Sequence, residues 1–144
     1  MPHLLGLSLA LSAALTGTPV QVAPVAPTQT MPQAQTVKEY VSTYFADAPV
    51  MAAIAYCESR NRQYDTDGSI FRGIVNSKDV GVMQINEYYH SDTAAKLGLD
   101  LFTLQGNTAY ARYLYEKEGV QPWSSSQPCW GKTAAAKAAL ALAK

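Results

Sequence analysis

Ile54 to Asn86 reads IAYCESRNRQYDTDGSIFRGIVNSKDVGVMQIN, and its opening residues decide how the rest is read. Met51, Ile54, Ala55 and Cys57 form an apolar helix-like run that stops in the polar cluster Ser59-Arg60-Asn61-Arg62. One carboxylate, Glu58, closes that run. A carboxyl group there sits at the negative end of a helix dipole and beside apolar surface, and both effects disfavour its ionised form. Glu58 is therefore read as a proton donor near neutral pH. Further along, Gly81-Val82-Met83-Gln84-Ile85-Asn86 combines a glycine, which lets backbone approach closely, with two side-chain amides that can face a polar ligand. The two segments read as an acid and a binding wall.

Towards the N-terminus, Asp47-Ala48-Pro49 starts the acid-bearing helix, predicted over Pro49–Glu58, with proline tolerated in the first turn. Thr36-Val37-Lys38-Glu39 has the spacing of a capping box, and Val37, Tyr40, Val41, Tyr44 and Phe45 then recur at helical intervals. Pro19 to Gln35, PVQVAPVAPTQTMPQAQ, is uncharged and proline-dense, which favours an extended spacer. Leu4 to Leu15, LLGLSLALSAAL, is too short to span a bilayer and has the length of a signal-peptide core. Residues 1–18 are thus expected to be an export signal or a weak anchor, and 19–35 a linker. The domain is expected over 36–132, secreted or held in the cell envelope.

Towards the C-terminus, Asp67-Gly68 is a turn signal with Ile70, Phe71, Ile74 and Val75 beyond it, which predicts a small irregular hairpin over Gln63–Val75. Asp79 reads as a cap before the Gly81 segment. Helices are predicted from Asp92 to Leu97, ended by Gly98, and from Asn107 to Glu118, ended by Gly119. Gln121 to Trp130, QPWSSSQPCW, is loop-like, and 133–144 is an alanine-rich tail with little core-forming capacity. The fold class expected from these elements is mainly α (α+β), with several short helices and one small irregular hairpin.

Eleven basic residues balance eleven acidic ones, which gives no electrostatic case for nucleic acid or an anionic membrane surface. Cys57 and Cys129 lack zinc-site spacing, so they are either free thiols or one disulfide. Export favours the disulfide, which would close a loop worth about 4 kcal/mol in chain entropy and tie the C-terminal segment to the neighbour of Glu58. His90, with Glu87 and Asp92 nearby, forms no recognised ligand spacing, and no metal or organic cofactor is expected.

Glu58-Ser59, an irregular polar segment, then Gly81-Val82-Met83-Gln84-Ile85 resembles the signature of soluble lytic transglycosylases and goose-type lysozymes. In that family Glu-Ser is followed by Gly-Leu-Met-Gln-Ile. Asn107 to Tyr115, NTAYARYLY, is similar to a later helix of the same family, and the resemblance covers about Tyr40 to Tyr115. It implies a lysozyme-like fold and cleavage of the β-1,4 bond between N-acetylmuramic acid and N-acetylglucosamine, with glycan strands of peptidoglycan as partner and a monomer as the acting species. Glu58 would be both acid and base, Ser77 would orient it or the N-acetyl group, and Met83, Gln84 and Asn86 would line the groove. Tyr113 would face Glu58. The family's Ala-Tyr-Asn-Ala-Gly segment is replaced here by Pro122-Trp123-Ser124-Ser125-Ser126, which suggests a wall made by Trp123.

Glycosidases usually use a second carboxylate, and Asp65, Asp67 and Asp79 are within chain reach. Asp67 is explained by its turn and Asp79 by capping, while an N-acetyl group on the substrate can replace the partner altogether. Two other readings stand beside this one. A non-catalytic glycan-binding module would bind walls without releasing product, and a chitinase-like hydrolase would cleave chitin oligomers.

Overall fold

Thr36 caps the first helix as its spacing predicts: its hydroxyl accepts from the Glu39 amide at 3.2 Å, and the Glu39 carboxylate accepts from the Thr36 amide at 2.9 Å. In the computed structural model, which describes residues 34–142, α1 runs Val37–Tyr44 and α2 runs Pro49–Ser59 with proline in its first turn. The expected signal and all of the spacer before Ala34 lie outside the described residues. Of the spacer's last two residues, Gln35 donates from its side chain to the Thr43 hydroxyl.

The helix α2 is the axis of the core. It buries Val50, Met51, Ile54 and Ala55, and it packs against α1, the short helices of Gln121–Trp130 and the C-terminal helix. Asp79–Val80 (β1) pairs antiparallel with Ile85–Asn86 (β2), setting Asp79 opposite Asn86 across the tight turn Gly81–Gln84. Val80, Val82, Met83 and Ile85 from this hairpin are buried against the core. The hairpin expected over Gln63–Val75 contracts to one bridge, Tyr64 with Ile70, across the Asp67-Gly68 turn. The reason is competition for backbone: the Phe71 amide donates to the Gln63 carbonyl, but the Phe71 carbonyl accepts from the Gly81 amide, so the chain turns to the later hairpin instead of extending its own.

Beyond β2, α3 covers Glu87–Lys96 and begins five positions before the expected Asp92, capped by the Asn86 side chain. Its early turns expose Tyr88 and Tyr89 and only Ala94 is buried, so no apolar stripe announces them. The helix α4 spans Leu104–Glu118, starts at a Thr103 cap three positions before the expected Asn107, and ends at Gly119. Arg112 of α4 grips both carboxylate oxygens of Asp47 at 3.0 and 2.7 Å, which docks α4 on the turn between α1 and α2.

A 3-10 helix, Gln121–Ser126, leads into α5, Gln127–Trp130, and Trp123 and Trp130 are both buried. Cys57 and Cys129 are joined in a disulfide, which belongs to an oxidising compartment. The alanine-rich segment is not an outlying tail. It forms α6, Ala134–Leu142, which packs on α2 and buries Ala136 completely. Small side chains let two helices approach closely, so alanine serves here as a packing residue. Among the described residues the fold is mainly helical, with six α-helices and one two-stranded antiparallel hairpin, and no helix is long and apolar enough to cross a membrane.

Candidate functional site

Glu58 stands on the last turn of α2, and Ser59 after it turns inward. The Ser59 hydroxyl donates to carbonyls of Ala55 and Val82, at 3.1 and 2.9 Å, and so clips the end of the acid-bearing helix to the Gly81–Gln84 turn. Glu58 itself lines a cleft of about 510 Å³, which continues past it into a smaller recess of about 160 Å³. Glu58, Asp79, Gln84 and Ser125 border both parts, so these four side chains mark where the two lobes meet.

Burial pushes the Glu58 carboxyl above the ordinary glutamate range, the negative charge of Asp79 pushes it the same way, and a hydrogen bond from Ser126 opposes them. That bond is short: the Ser126 hydroxyl donates to Glu58 Oε1 at 2.6 Å. Asp79, opposite in the cleft, accepts from the side-chain amides of Asn86 at 2.7 Å and Asn76 at 3.3 Å, which orient its carboxylate. The arrangement sets a carboxyl whose ionised form is disfavoured and a second carboxyl group, that of Asp79, along one cleft. It can deliver a proton to a leaving oxygen while the second charge faces a developing cation.

Gln84 enters the site from an unusual backbone state, φ 50°, in the left-handed region. Two buried amides hold it there. Gln63 accepts from the Val82 amide at 2.8 Å and donates to the Phe102 carbonyl at 3.3 Å. Asn107 accepts from the Met83 amide at 2.9 Å and donates to carbonyls of Val80 and Leu101 at 3.0 and 2.9 Å. Gly81, at φ 71°, passes between them: a Cβ there would lie 2.5 Å from the Asn107 amide nitrogen and 2.7 Å from the Gln63 oxygen.

The expected site residues divide into three groups. Glu58, Gln84 and Asn86 meet at the cleft as expected. Trp123 walls the smaller recess, but it is an internal wall: its ring is buried and its indole N–H donates to the Met83 carbonyl at 2.9 Å. Ser77, Met83 and Tyr113 are elsewhere. Ser77 is exposed and offers its carbonyl to Arg72, and its neighbour Asn76 reaches the cleft instead. Met83, inside the Gly81–Gln84 turn, is fully buried in the core, with its backbone amide bonded to Asn107 and its carbonyl to Trp123. Tyr113 lies against Tyr110, accepts a hydrogen bond from Lys117 and does not border the cleft, although the next residue of α4, Leu114, borders the smaller recess.

Two residues were not marked for this site by their sequence signals, and a third was marked but explained otherwise: Asp79, one of three carboxylates within chain reach, reads as a cap, yet of those three it is the one that borders the cleft beside Glu58. Ser126 sits in a loop-like serine run with nothing to single it out. Gln63, a fully buried amide, follows a polar cluster that looks solvent-facing. His90, for which no metal spacing was found, borders the smaller recess, with Nδ1 3.0 Å from the Tyr110 hydroxyl and burial favouring its neutral form. The chain matches no family model, no curated protein and no solved structure.

Proposed function

We propose that the protein is a peptidoglycan-cleaving glycosidase, a lytic transglycosylase or muramidase, acting on the β-1,4 bond between N-acetylmuramic acid and N-acetylglucosamine. The observation that carries this reading is the half-buried Glu58, kept readily protonated by its surroundings and facing Asp79 across the junction of the two lobes. Glu58 gives its proton to the glycosidic oxygen as the bond from the anomeric carbon breaks. The positive charge that develops on the sugar faces Asp79 or the substrate's own N-acetyl oxygen. Glu58, now a carboxylate, accepts a proton from the attacking hydroxyl: that of water gives a reducing end, and that of muramic C6 gives an anhydro end. The amides of Gln84 and Asn86 supply donors and acceptors for the sugar's polar groups.

Glu58→Gln keeps the shape and the polar contacts of the side chain but carries no transferable acid proton. Release of soluble muropeptides from cell walls is expected to fall by at least about a thousandfold, with the circular dichroism spectrum unchanged. Full activity in that variant would remove Glu58 from the mechanism. Wall binding by the unmodified protein with no soluble product would instead make it a glycan-binding module of the same fold. Mass spectrometry of the products then separates anhydro from reducing ends by one water.

A further inference from the structure

We infer that Arg60 and Arg62 make the larger lobe of the cleft a receiver for a carboxylate carried by the glycan, so that acidic strands are held in preference to neutral ones. This rests on the glycan-cleaving reading and adds to it the chemical class of substrate.

Both arginines border the larger lobe together with Glu58, while no lysine or arginine borders the smaller recess. The lining is therefore electrically lopsided: both lobes share Glu58 and Asp79, and only the larger one adds arginines. The contacts of Arg60 leave its charge unpaired, and those of Arg62 leave it only weakly paired. Arg60 ends α2 in the left-handed region at φ 58°, and its guanidinium lies over the Tyr56 ring at 4.6 Å. Among the described residues no carboxylate lies within ion-pair distance of it. Arg62 donates from Nε to the Ser59 carbonyl at 3.0 Å and stacks on Phe71 at 3.9 Å. Its one acidic neighbour, Asp65, is 3.8 Å away with both side chains about half exposed, a pair that water screens heavily.

A polymer of N-acetylglucosamine offers two guanidinium groups only neutral acceptors. Muramic acid does, either through its lactyl carboxylate or through the carboxylates of an attached peptide stem, and a guanidinium already fixed by stacking binds a carboxylate with little further ordering. The negative charge of Asp79 repels the same anion, so the substituent is directed to the arginine end and the strand enters in one orientation.

The test measures binding in the Glu58→Gln protein, so that ligands survive. The probes are a stem-bearing peptidoglycan tetrasaccharide, the same glycan stripped to free lactyl carboxylates, and each of these with its carboxylates blocked as amides. At low salt an acidic form is expected to bind about tenfold more tightly than its blocked counterpart, and the gap should close towards parity at about 0.5 M salt. Whichever acidic probe shows the gap identifies the carboxylate that is read. Adding Arg60→Gly and Arg62→Gln should reduce the preference below about twofold; glycine accepts the left-handed backbone, and glutamine retains a donor for the Ser59 carbonyl. Equal affinity for acidic and blocked probes, or a preference that survives the double charge removal in a protein of unchanged melting temperature, would overturn the inference. Failure of the unmodified protein to release product from walls is a separate result, and it sinks the glycosidase reading instead.

Discussion

The two banks that press on Glu58 are fixed by opposite means. The Gly81–Asn86 bank is held by neutral buried amides: Gln63 and Asn107 accept from the backbone of Val82 and Met83 and donate to three other carbonyls. The Gln121–Trp130 bank is held by a covalent link and two indoles, with Trp123 bonded to the Met83 carbonyl and Trp130 to the Trp123 carbonyl. In the first bank each fixing group is worth most when every one of its bonds is made, because a buried backbone group left without a partner costs more than a made bond gains. In the second, the disulfide acts mainly by restricting the unfolded chain. The first bank sets geometry, and the second sets how firmly a ready-made wall stays in place.

Removing the two fixings one at a time would break that contrast or sharpen it. Asn107→Ala removes the side-chain partner of the Met83 amide and of the Val80 and Leu101 carbonyls, and should cost about 5 kcal/mol by urea unfolding. Glycan turnover should be lost even in whatever fraction stays folded, since Gln84 loses the support of its strained backbone. A small loss with normal turnover would mean the amides are not what hold this bank. Replacing both cysteines by serine should cost about 4 kcal/mol, from a loop of 72 residues' separation, while the folded fraction retains most of its turnover. If that variant is instead inactive while still folded, the cross-link sets geometry as well, and the two banks are more alike than their chemistry suggests.

The smallest effects lie on the pH profile, and they point in opposite directions. If Glu58 is the acid, as proposed, turnover needs it protonated and should decline as pH rises through the carboxyl's elevated pKa. Asp79→Asn removes a negative neighbour that favours the protonated form, and the decline should move to lower pH. Ser126→Ala removes a donor that favours the ionised form, and the decline should move to higher pH. Shifts in the same direction for both variants, read from kcat/KM profiles, would show that the charge and the hydroxyl do not act separately on Glu58.

Legibility in the sequence follows the same contrast. The capping box at Thr36, the proline start of α2 and the glycine end of α4 are local signals, and each produces its element. Glu58 is legible because the apolar period stops on it, and the cysteines and tryptophans of the second bank because their residue types are scarce. Gln63 and Asn107 are not, since the backbone they satisfy lies 19 and 24 positions away and no period connects them. Asp79 was hidden by having a sufficient local explanation as a cap. The first turns of α3 and the role of α6 are hard to read for a related reason: an exposed start and a face made mostly of alanine carry almost no hydrophobic contrast.

The docking of α6 on α2 has a practical side. Ala136 is fully buried in a helix that packs on α2, the helix that presents the acid, so trimming the chain at Lys132 would uncover part of α2. A purification handle or reporter fused directly after Leu142 would lever on it as well. Any engineered version should keep the alanine helix whole and carry its cargo on a slack tether.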